Sequence, residues 1–211
     1  MAHKSGFVNI IGNPNVGKSS IMNVLVGERL SIITSKMQTT RHRIKGIVNG
    51  DDFQIVYSDT PGILKPNYKL QETMMKFVNT ALIDADVIIY VTDVVESPEK
   101  NEEYIERVKS SEAAVIVLIN KIDLSTQEKV MELYNYWREK LPLADVYAVS
   151  ALEKFNVAPI FDRILELLPE GPAYFPKDEM TDRNERFFVS EIIREKILLY
   201  YDKEIPYSVE V

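Results

Sequence analysis

The stretch Phe7-Val8-Asn9-Ile10-Ile11-Gly12-Asn13-Pro14-Asn15-Val16-Gly17-Lys18-Ser19-Ser20-Ile21-Met22 decides the fold. Residues 7–11 are short, nearly continuous in apolar side chains and rich in Ile, the pattern of a strand covered on both faces. From Lys18 onward the apolar positions recur at helical spacing. Between the two, residues 12–19 match G-x-x-x-x-G-K-[ST]. Glycines there let consecutive backbone N–H groups turn toward phosphate oxygens, and the helix N-terminus adds positive potential. Asn13, Asn15, Val16, Gly17, Lys18, Ser19 and Ser20 are therefore the candidate phosphate-binding residues. Lys18 brings a full charge to the terminal phosphates, and Ser19 offers its hydroxyl to Mg²⁺, which keeps most of its ligands as waters and phosphates. A glycine-rich turn with a surface lysine is the plainer reading, and the flanking strand and helix argue against it.

Outward from this stretch, residues 87–91 and 114–119 read as further buried strands and 145–150 as a weaker one. Three-to-four spacing predicts helices over Lys18–Val26, 70–84, 99–111, 127–141 and 157–168. Strands alternating with helices imply crossover units and a mostly parallel sheet with helices on both faces. Residues 43–49 and 53–58 alternate more strictly and are joined by Gly50-Asp51-Asp52, which predicts an antiparallel strand pair at one edge of a six-stranded sheet. The expected architecture is thus α/β over residues 1–170. Pro169-Glu170-Gly171-Pro172-Ala173-Tyr174-Phe175-Pro176 admits neither helix nor inner strand, so 171–184 reads as a linker. Beyond it, 186–201 is an apolar-striped helix (Phe187, Ile192, Ile193, Ile197, Leu198, Tyr201), and 205–211 alternates like a strand. One helix and one strand make no independent core. The 185–211 piece either packs on the first domain or opens a second one.

The 211 residues carry a net charge of −7, which speaks against a nucleic-acid binder over its whole surface while leaving room for a local basic patch. The chain has no cysteine, so disulfides, cysteine-based zinc sites and thiol catalysis are out. Its first residues lack the pattern of a signal peptide, and no run approaches the ~20 apolar residues that span a bilayer, so a cytoplasmic location is expected.

Four further motifs accompany the phosphate-binding stretch. Asn120-Lys121-Ile122-Asp123 comes directly after the 114–119 run. The Asp123 carboxylate suits the ring N–H and exocyclic amine of guanine, a donor pair that adenine lacks, and a site built on hydrogen bonds discriminates strongly. Lys121 can lay its stem over the base, and Asn120 either ties loops together or meets the purine edge. Ser150-Ala151-Leu152 fits a third guanine contact through a backbone N–H. Asp59-Thr60-Pro61-Gly62 follows the 53–58 strand. Asp59 would hold a water on Mg²⁺, while the Gly62 N–H would meet the γ-phosphate and swing away when it leaves. Gln38, Thr39, Thr40 and Arg41 lie in a polar loop where one threonine hydroxyl would complete the metal shell. Thr40 is favoured over Thr39, though spacing does not decide. The expected switch residues are Gln38, Thr39, Thr40 and Arg41 together with Thr60, Pro61, Gly62 and Ile63.

With G-x-P-N-V-G-K-S, Gln38-Thr39-Thr40-Arg41-His42-Arg43, Asp59-Thr60-Pro61-Gly62 and Asn120-Lys121-Ile122-Asp123 in this order, the chain resembles the translation-factor-like GTPases, and within them the Era family. Phe187-Phe188-Val189-Ser190-Glu191-Ile192-Ile193-Arg194-Glu195-Lys196 and Glu204-Ile205-Pro206-Tyr207 resemble the opening of that family's second domain, a KH-type RNA-binding module. The resemblance implies a GTPase that binds small-subunit ribosomal RNA near its 3′ end and assists assembly of the 30S subunit. It also implies peripheral membrane association and a monomer. A KH module grips nucleic acid with a GXXG loop. None follows Pro172, so residues 185–211 are expected to be the first helix and strand of an incomplete module.

In hydrolysis, Lys18, the loop amides, Mg²⁺ and Thr40 would supply positioning and charge neutralisation. Ras-like enzymes hold the attacking water with a glutamine directly after D-x-x-G. Ile63 occupies that place here, so turnover is expected to be slow or to rely on backbone groups of the switch loops. Asn15 matches the asparagine that holds K⁺ in some relatives, which implies a K⁺ site; its plainer role is to brace the loop. Arg41 and Arg43 are candidates for charge stabilisation or RNA contact, or are simply solvated. A P-loop ATPase or small-molecule kinase would leave Asn120–Asp123 unexplained, and a non-catalytic GTP-binding scaffold is the reading that Ile63 leaves open.

Overall fold

The computed structural model describes residues 2–36, 38–100, 102–201 and 209–211. Its strands are β1 (Lys4–Gly12), β2 (Ile44–Asn49), β3 (Phe53–Asp59), β4 (Val87–Asp93), β5 (Ala114–Asn120) and β6 (Asp145–Ala148). The helices are α1 (Lys18–Val26), α2 (Lys69–Ile83), α3 (Glu102–Lys109), α4 (Gln127–Lys140), α5 (Ala158–Leu167) and α6 (Glu185–Tyr200). The strands form one six-stranded sheet in the order β2-β3-β1-β4-β5-β6, parallel throughout except for the antiparallel β2–β3 pair. Chain connections leave β1 toward β3 on one side and β4 on the other. That reversal opens a crevice beyond the carboxyl end of β1, where ligands of open α/β sheets bind.

The two faces of β1 feed different cores. Val8 and Ile10 pack with Ile21, Met22 and Leu25 of α1 and with Ile160 and Ile164 of α5. Ile11 turns the other way, toward Met74 and Val78 of α2, Ile105 of α3, and Leu133 and Trp137 of α4. Asn9 is polar on that second face and fully paired. Its Nδ2 donates to Ala81 O and Asp84 Oδ1, and its Oδ1 accepts from Arg43 Nη2. Burial without these partners would be costly.

Some boundaries differ from expectation. β4 and β5 run on through Asp93 and Asn120, which pair with each other in the ladder. β6 stops at Ala148, and Ser150 instead bridges back to Phe155. α3 starts at Glu102 and ends at Lys109, shorter than 99–111.

The proline-rich segment lies along the sheet as a strap. Its prolines forbid a helix, yet its other polar groups are satisfied by the sheet. Ser5 N donates to Pro169 O, and Gln54 Oε1 accepts from the N–H groups of Tyr174 and Phe175. Ile47 N donates to Met180 O, and Thr181 Oγ1 to Lys45 O, so the strap covers the open edge of β2.

α6 packs on the α/β body, but not by the stripe expected of it. Leu198 is buried and Phe187 and Phe188 pack against the first core, while Ile192, Ile193 and Tyr201 are exposed. The buried positions are instead Glu191, Arg194 and Glu195. Charges can take an inward face when each is partnered, and these are, as described below. Of the strand expected at 205–211, residues 205–208 lie outside the described residues, and 209–211 belong to no helix or strand.

Candidate functional site

At the carboxyl end of β1 the chain turns through residues 13–17 into α1. Asn15 and Gly17 have positive φ, 66° and 97°. Gly17 is required twice over: a Cβ there would lie 2.2 Å from Asn120 Nδ2 in addition to the left-handed backbone. Lys18 is only 6% exposed, and its Nζ donates to Asn13 O at 2.8 Å. Burial pushes its ammonium down to about 8, against the opposing pull of Asp59 and then Glu96.

Behind Lys18, three oxygens converge. Ser19 Oγ donates to Asp59 Oδ2 at 2.6 Å, Thr40 Oγ1 lies 3.0 Å from Ser19 Oγ, and Thr40 also reaches Asp59 Oδ2 at 3.3 Å. Asp59 is fully buried, which raises its carboxyl pKa, while hydrogen bonding to Ser19 and the charge of Lys18 pull the other way. Its Oδ1 has no hydrogen-bond partner among the described residues. Two hydroxyls, a buried carboxylate and an orphaned oxygen are a donor set that fits a hard divalent cation. Of the two threonines, Thr40 is the one brought here; the Thr39 hydroxyl bonds Thr34 and Lys36 O.

The remaining residues after β3 are struts. Thr60 Oγ1 donates to Ile10 O, and Ile63 N to Gly12 O. The Ile63 side chain is 1% exposed and packed in the second core, turned away from the cleft. Gly62 touches the phosphate loop so closely that a Cβ would lie 2.7 Å from Pro14 Cα.

On the far side, Asn120 is buried and ties two loops. Its Nδ2 donates to Val16 O, and its Oδ1 accepts from Ala151 N. Of its two expected roles, tying is the one seen. Lys121, in left-handed conformation, reaches Asn15 O and Asp93 Oδ2. Asp123 is exposed, with Ser150 Oγ donating to its Oδ1. Leu152 is exposed. A cleft of about 460 Å³ runs between these walls, lined by Asn15, Gly17, Lys18, Ser19 and Ser20 on one side, by Gln38, Thr39, Thr40 and Gly62 on the other, and by Lys121 at its end. Asn13, Val16, Arg41, Asp59, Thr60, Pro61 and Ile63 do not line it, and of the expected guanine-binding residues only Lys121 does; Asn120, Asp123, Ser150, Ala151 and Leu152 do not.

The loop carrying Thr40 is held from α6. Glu195 Oε1 accepts from Arg29 Nη2 and from Ile33 N, and Arg194 Nη2 donates to Thr39 O while pairing with Glu191. Arg41 Nη1 donates to Val209 O. Arg43 is neither solvated nor at the cleft. It is buried, with its guanidinium on Asp84, Asn9 and Ser58. The sequence reading also passed over Asp93 and Glu96, which contact Lys121 and Asn13. Two acids directly after an apolar strand that ends beside the phosphate loop were the signal for them.

The sheet, the phosphate loop and the base-side loops define a P-loop GTPase, and a family profile described as "50S ribosome-binding GTPase" matches residues 7–121. The chain is 43% identical over 212 residues to the GTPase Era of Alkaliphilus metalliredigens (strain QYMF), covering 100% of this chain and 72% of that protein. It is 43% identical over 209 residues to GTPase Era of Clostridium kluyveri, covering 99% and 71%. A crystal structure of Era in complex with MgGDPNP and a segment of 16S ribosomal RNA superposes with a TM-score of 0.90 at 38% identity, covering 97% of this chain and 70% of that one. An Aquifex aeolicus Era variant bound to GDP·AlF₄⁻ also gives 0.90 at 38% identity, with 96% and 70% covered. The chain belongs to the Era family of GTPases.

Proposed function

We propose that the chain is a slow GTP-hydrolysing switch whose triphosphate lies along the phosphate loop and whose guanine sits against Lys121 and Asp123. The observation that carries this reading is a cleft lined by Lys18, Ser19, Thr40 and Lys121, with the buried Asp59 hydrogen-bonded to Ser19 and Thr40 behind it. The loop amides from Asn13 to Ser20 would hold the phosphates, and Lys18 would leave Asn13 O for their terminal oxygens, its pKa rising as an anion replaces a carbonyl. Ser19, Thr40 and Asp59 would hold Mg²⁺, with Asp59 acting through a water; the relative solved with MgGDPNP supports this. Bound there, the ion would supply charge neutralisation to the phosphates. Asp123 would accept from guanine, oriented by Ser150 Oγ, with the backbone of Ser150–Leu152 at the guanine oxygen.

Water attacks the γ-phosphorus in line as the bond to the β-phosphate oxygen breaks, giving GDP and inorganic phosphate. Ile63 is buried in the core and holds no water, which supports slow turnover, with the water held by backbone groups around Gly62 and Thr40. Loss of the γ-phosphate would release Gly62 and the 38–41 loop. A K⁺ site at Asn15 is part of the proposal. Its Nδ2 donates to Ser35 O, so its carboxamide lies against the backbone of the loop that precedes Thr40, which supports a cation site there.

We also propose residues 1–170 as the GTPase domain, 171–184 as the strap between domains and 185–211 as the opening of a KH-type module. The partner is small-subunit ribosomal RNA, in the cytoplasm. The family description names the 50S particle, but the relative that matches over the whole chain was solved with 16S RNA, and we follow the relative.

Competition of unlabelled GTP and ATP against labelled GDP, for wild type and Asp123→Asn, tests the nucleotide assignment. GTP alone should displace GDP from wild type, and guanine preference should vanish in the variant. Equal displacement by ATP from wild type would sink it. Single-turnover hydrolysis in K⁺ and Na⁺ buffers tests the cation, and equal rates would remove K⁺.

A further inference from the structure

The turn after β4 makes contacts that the proposed nucleotide site does not yet use. Asp93 Oδ1 accepts from the N–H groups of both Val95 and Glu96, each at 2.9 Å, which fixes the backbone of the turn. The Glu96 side chain is thereby aimed at the phosphate loop. Its Oε2 accepts from Asn13 Nδ2 at 2.7 Å, and its Oε1 from Thr92 Oγ1 at 2.9 Å. The other oxygen of Asp93 takes Lys121 Nζ at 2.6 Å. Asp93 and Glu96 thus hold Lys121, which lines the cleft, and Asn13, which begins the phosphate loop.

We infer that Glu96 is a positioning residue for the phosphate loop, acting through Asn13. The inference rests on the nucleotide site proposed above. Asn13 begins the loop and its carbonyl is where Lys18 now rests. When Lys18 moves to a phosphate, Asn13 loses that tie just as its peptide must stay in place for the anion. The Glu96 carboxylate keeps the Asn13 side chain anchored through the exchange. A charge-assisted hydrogen bond made in both free and loaded states preorganises the loop, and preorganisation raises affinity without touching the chemical step. Burial raises the carboxyl pKa of Glu96, while Asn13 and Thr92 pull it down; the two donors are what a half-buried carboxylate at this place requires.

The test is steady-state GTP hydrolysis and labelled-GDP binding by the whole chain as wild type, Glu96→Ala, Glu96→Gln, Asn13→Ala and the Glu96→Ala/Asn13→Ala double variant, with thermal unfolding of each nucleotide-free protein. Removing one charge-assisted hydrogen bond should raise KM and the GDP Kd about tenfold, with kcat kept within about twofold. In GDP binding, Asn13→Ala should match Glu96→Ala, and the double variant should be no worse than either. Glu96→Gln keeps an acceptor for Asn13 and should recover most of the affinity. Additive losses, an unchanged KM, a fall in kcat alone, or a Gln variant as weak as Ala would overturn the assignment. Should Glu96→Ala not fold, Thr92→Val removes the second donor at constant shape. It should raise KM by a smaller factor, and an unchanged KM there would count equally against the role. Wild-type binding in the same titration tests the nucleotide site itself, so failure of that reading is seen separately.

Discussion

The phosphate loop and the loop carrying Thr40 face each other across one cleft and are held there by different means. The first is shaped from within. Its turn comes from Gly17 and the left-handed Asn15, and its end is the first turn of α1. The second has no helix or strand among its described residues and is tied within itself through Thr34, Lys36 and Thr39. It is suspended from α6 through Glu195 to Ile33 N–H and Arg194 to Thr39 O. Between those anchors and the sheet its Thr40 hydroxyl reaches Ser19 and Asp59. The phosphate loop adds outside braces to its own turn, Asn120 on Val16 O, Lys121 on Asn15 O and Glu96 on Asn13, and should keep its form when the nucleotide changes. The loop carrying Thr40 hangs chiefly on α6 and opens at lower cost, as the proposed switch role requires.

The contrast is most sharply tested at Lys18. Lys18→Met should weaken GDP and GTP binding by more than about 100-fold, since a full charge on the terminal phosphates is lost. The same variant should alter the pH dependence of stability. The ammonium titrates at about 8 when folded against the ordinary 10.5. Between those values the unfolded chain binds the extra proton, so the wild-type nucleotide-free protein should gain stability relative to the variant as pH rises from 8 to 10.5, by at most about 3 kcal/mol. Chemical denaturation at a series of pH values reads this directly, and a difference independent of pH would mean Lys18 is not desolvated.

At the suspended loop, Arg194→Met strands the buried Glu191 carboxylate and the Thr39 carbonyl together. Breaking a buried pair in this way costs about 3 kcal/mol, and urea unfolding should show it. If instead α6 merely lay on the surface, the loss would stay within experimental error. Glu195→Ala is milder. It leaves Ile33 N–H without its acceptor and should cost about 1–2 kcal/mol, with faster hydrogen exchange at Ile33 and a greater loss of affinity for a GTP analogue than for GDP. Equal losses for both nucleotides would break the distinction between the two loops. The smallest effect is expected at Tyr68→Phe, which deletes the exposed hydrogen bond from Tyr68 Oη to Gln38 Oε1. Stability should move by less than about 0.5 kcal/mol, with GDP affinity unchanged.

What was legible follows the same divide. α1 begins and ends where its spacing predicted, and the antiparallel β2–β3 edge was visible in strict alternation around Gly50-Asp51-Asp52. The parallel strands were legible as apolar runs, but their ends were not. Asp93 and Asn120 belong to the ladder because each is buried with partners, a fact that hydropathy hides. The same blindness affected α6. Its apolar residues suggested one inward face, whereas Glu191, Arg194 and Glu195 face inward because a loop more than 150 residues earlier supplies Arg29, Ile33 N–H and Thr39 O. Arg43, read as a candidate for phosphate contact, is likewise committed to Asp84 and Asn9.

Sequence alone determined the parts of this protein whose chemistry lies in consecutive backbone and a few fixed side chains. These are the phosphate loop with Lys18 and Ser19, the Asn120–Asp123 loop, the order of the elements and the membership in a GTPase family. They are legible because each is a short run of fixed residue types directly after an apolar strand, although the contacts that hold the Asn120–Asp123 loop come from far along the chain. Tertiary structure alone decided between Thr39 and Thr40, turned Ile63 into the core, assigned Asn120 to tying loops, and brought Glu96 to Asn13 and α6 to the Thr40 loop. Each of these is a choice among polar partners far apart in the chain, and burial, which makes such a choice unique, exists only once the chain has folded.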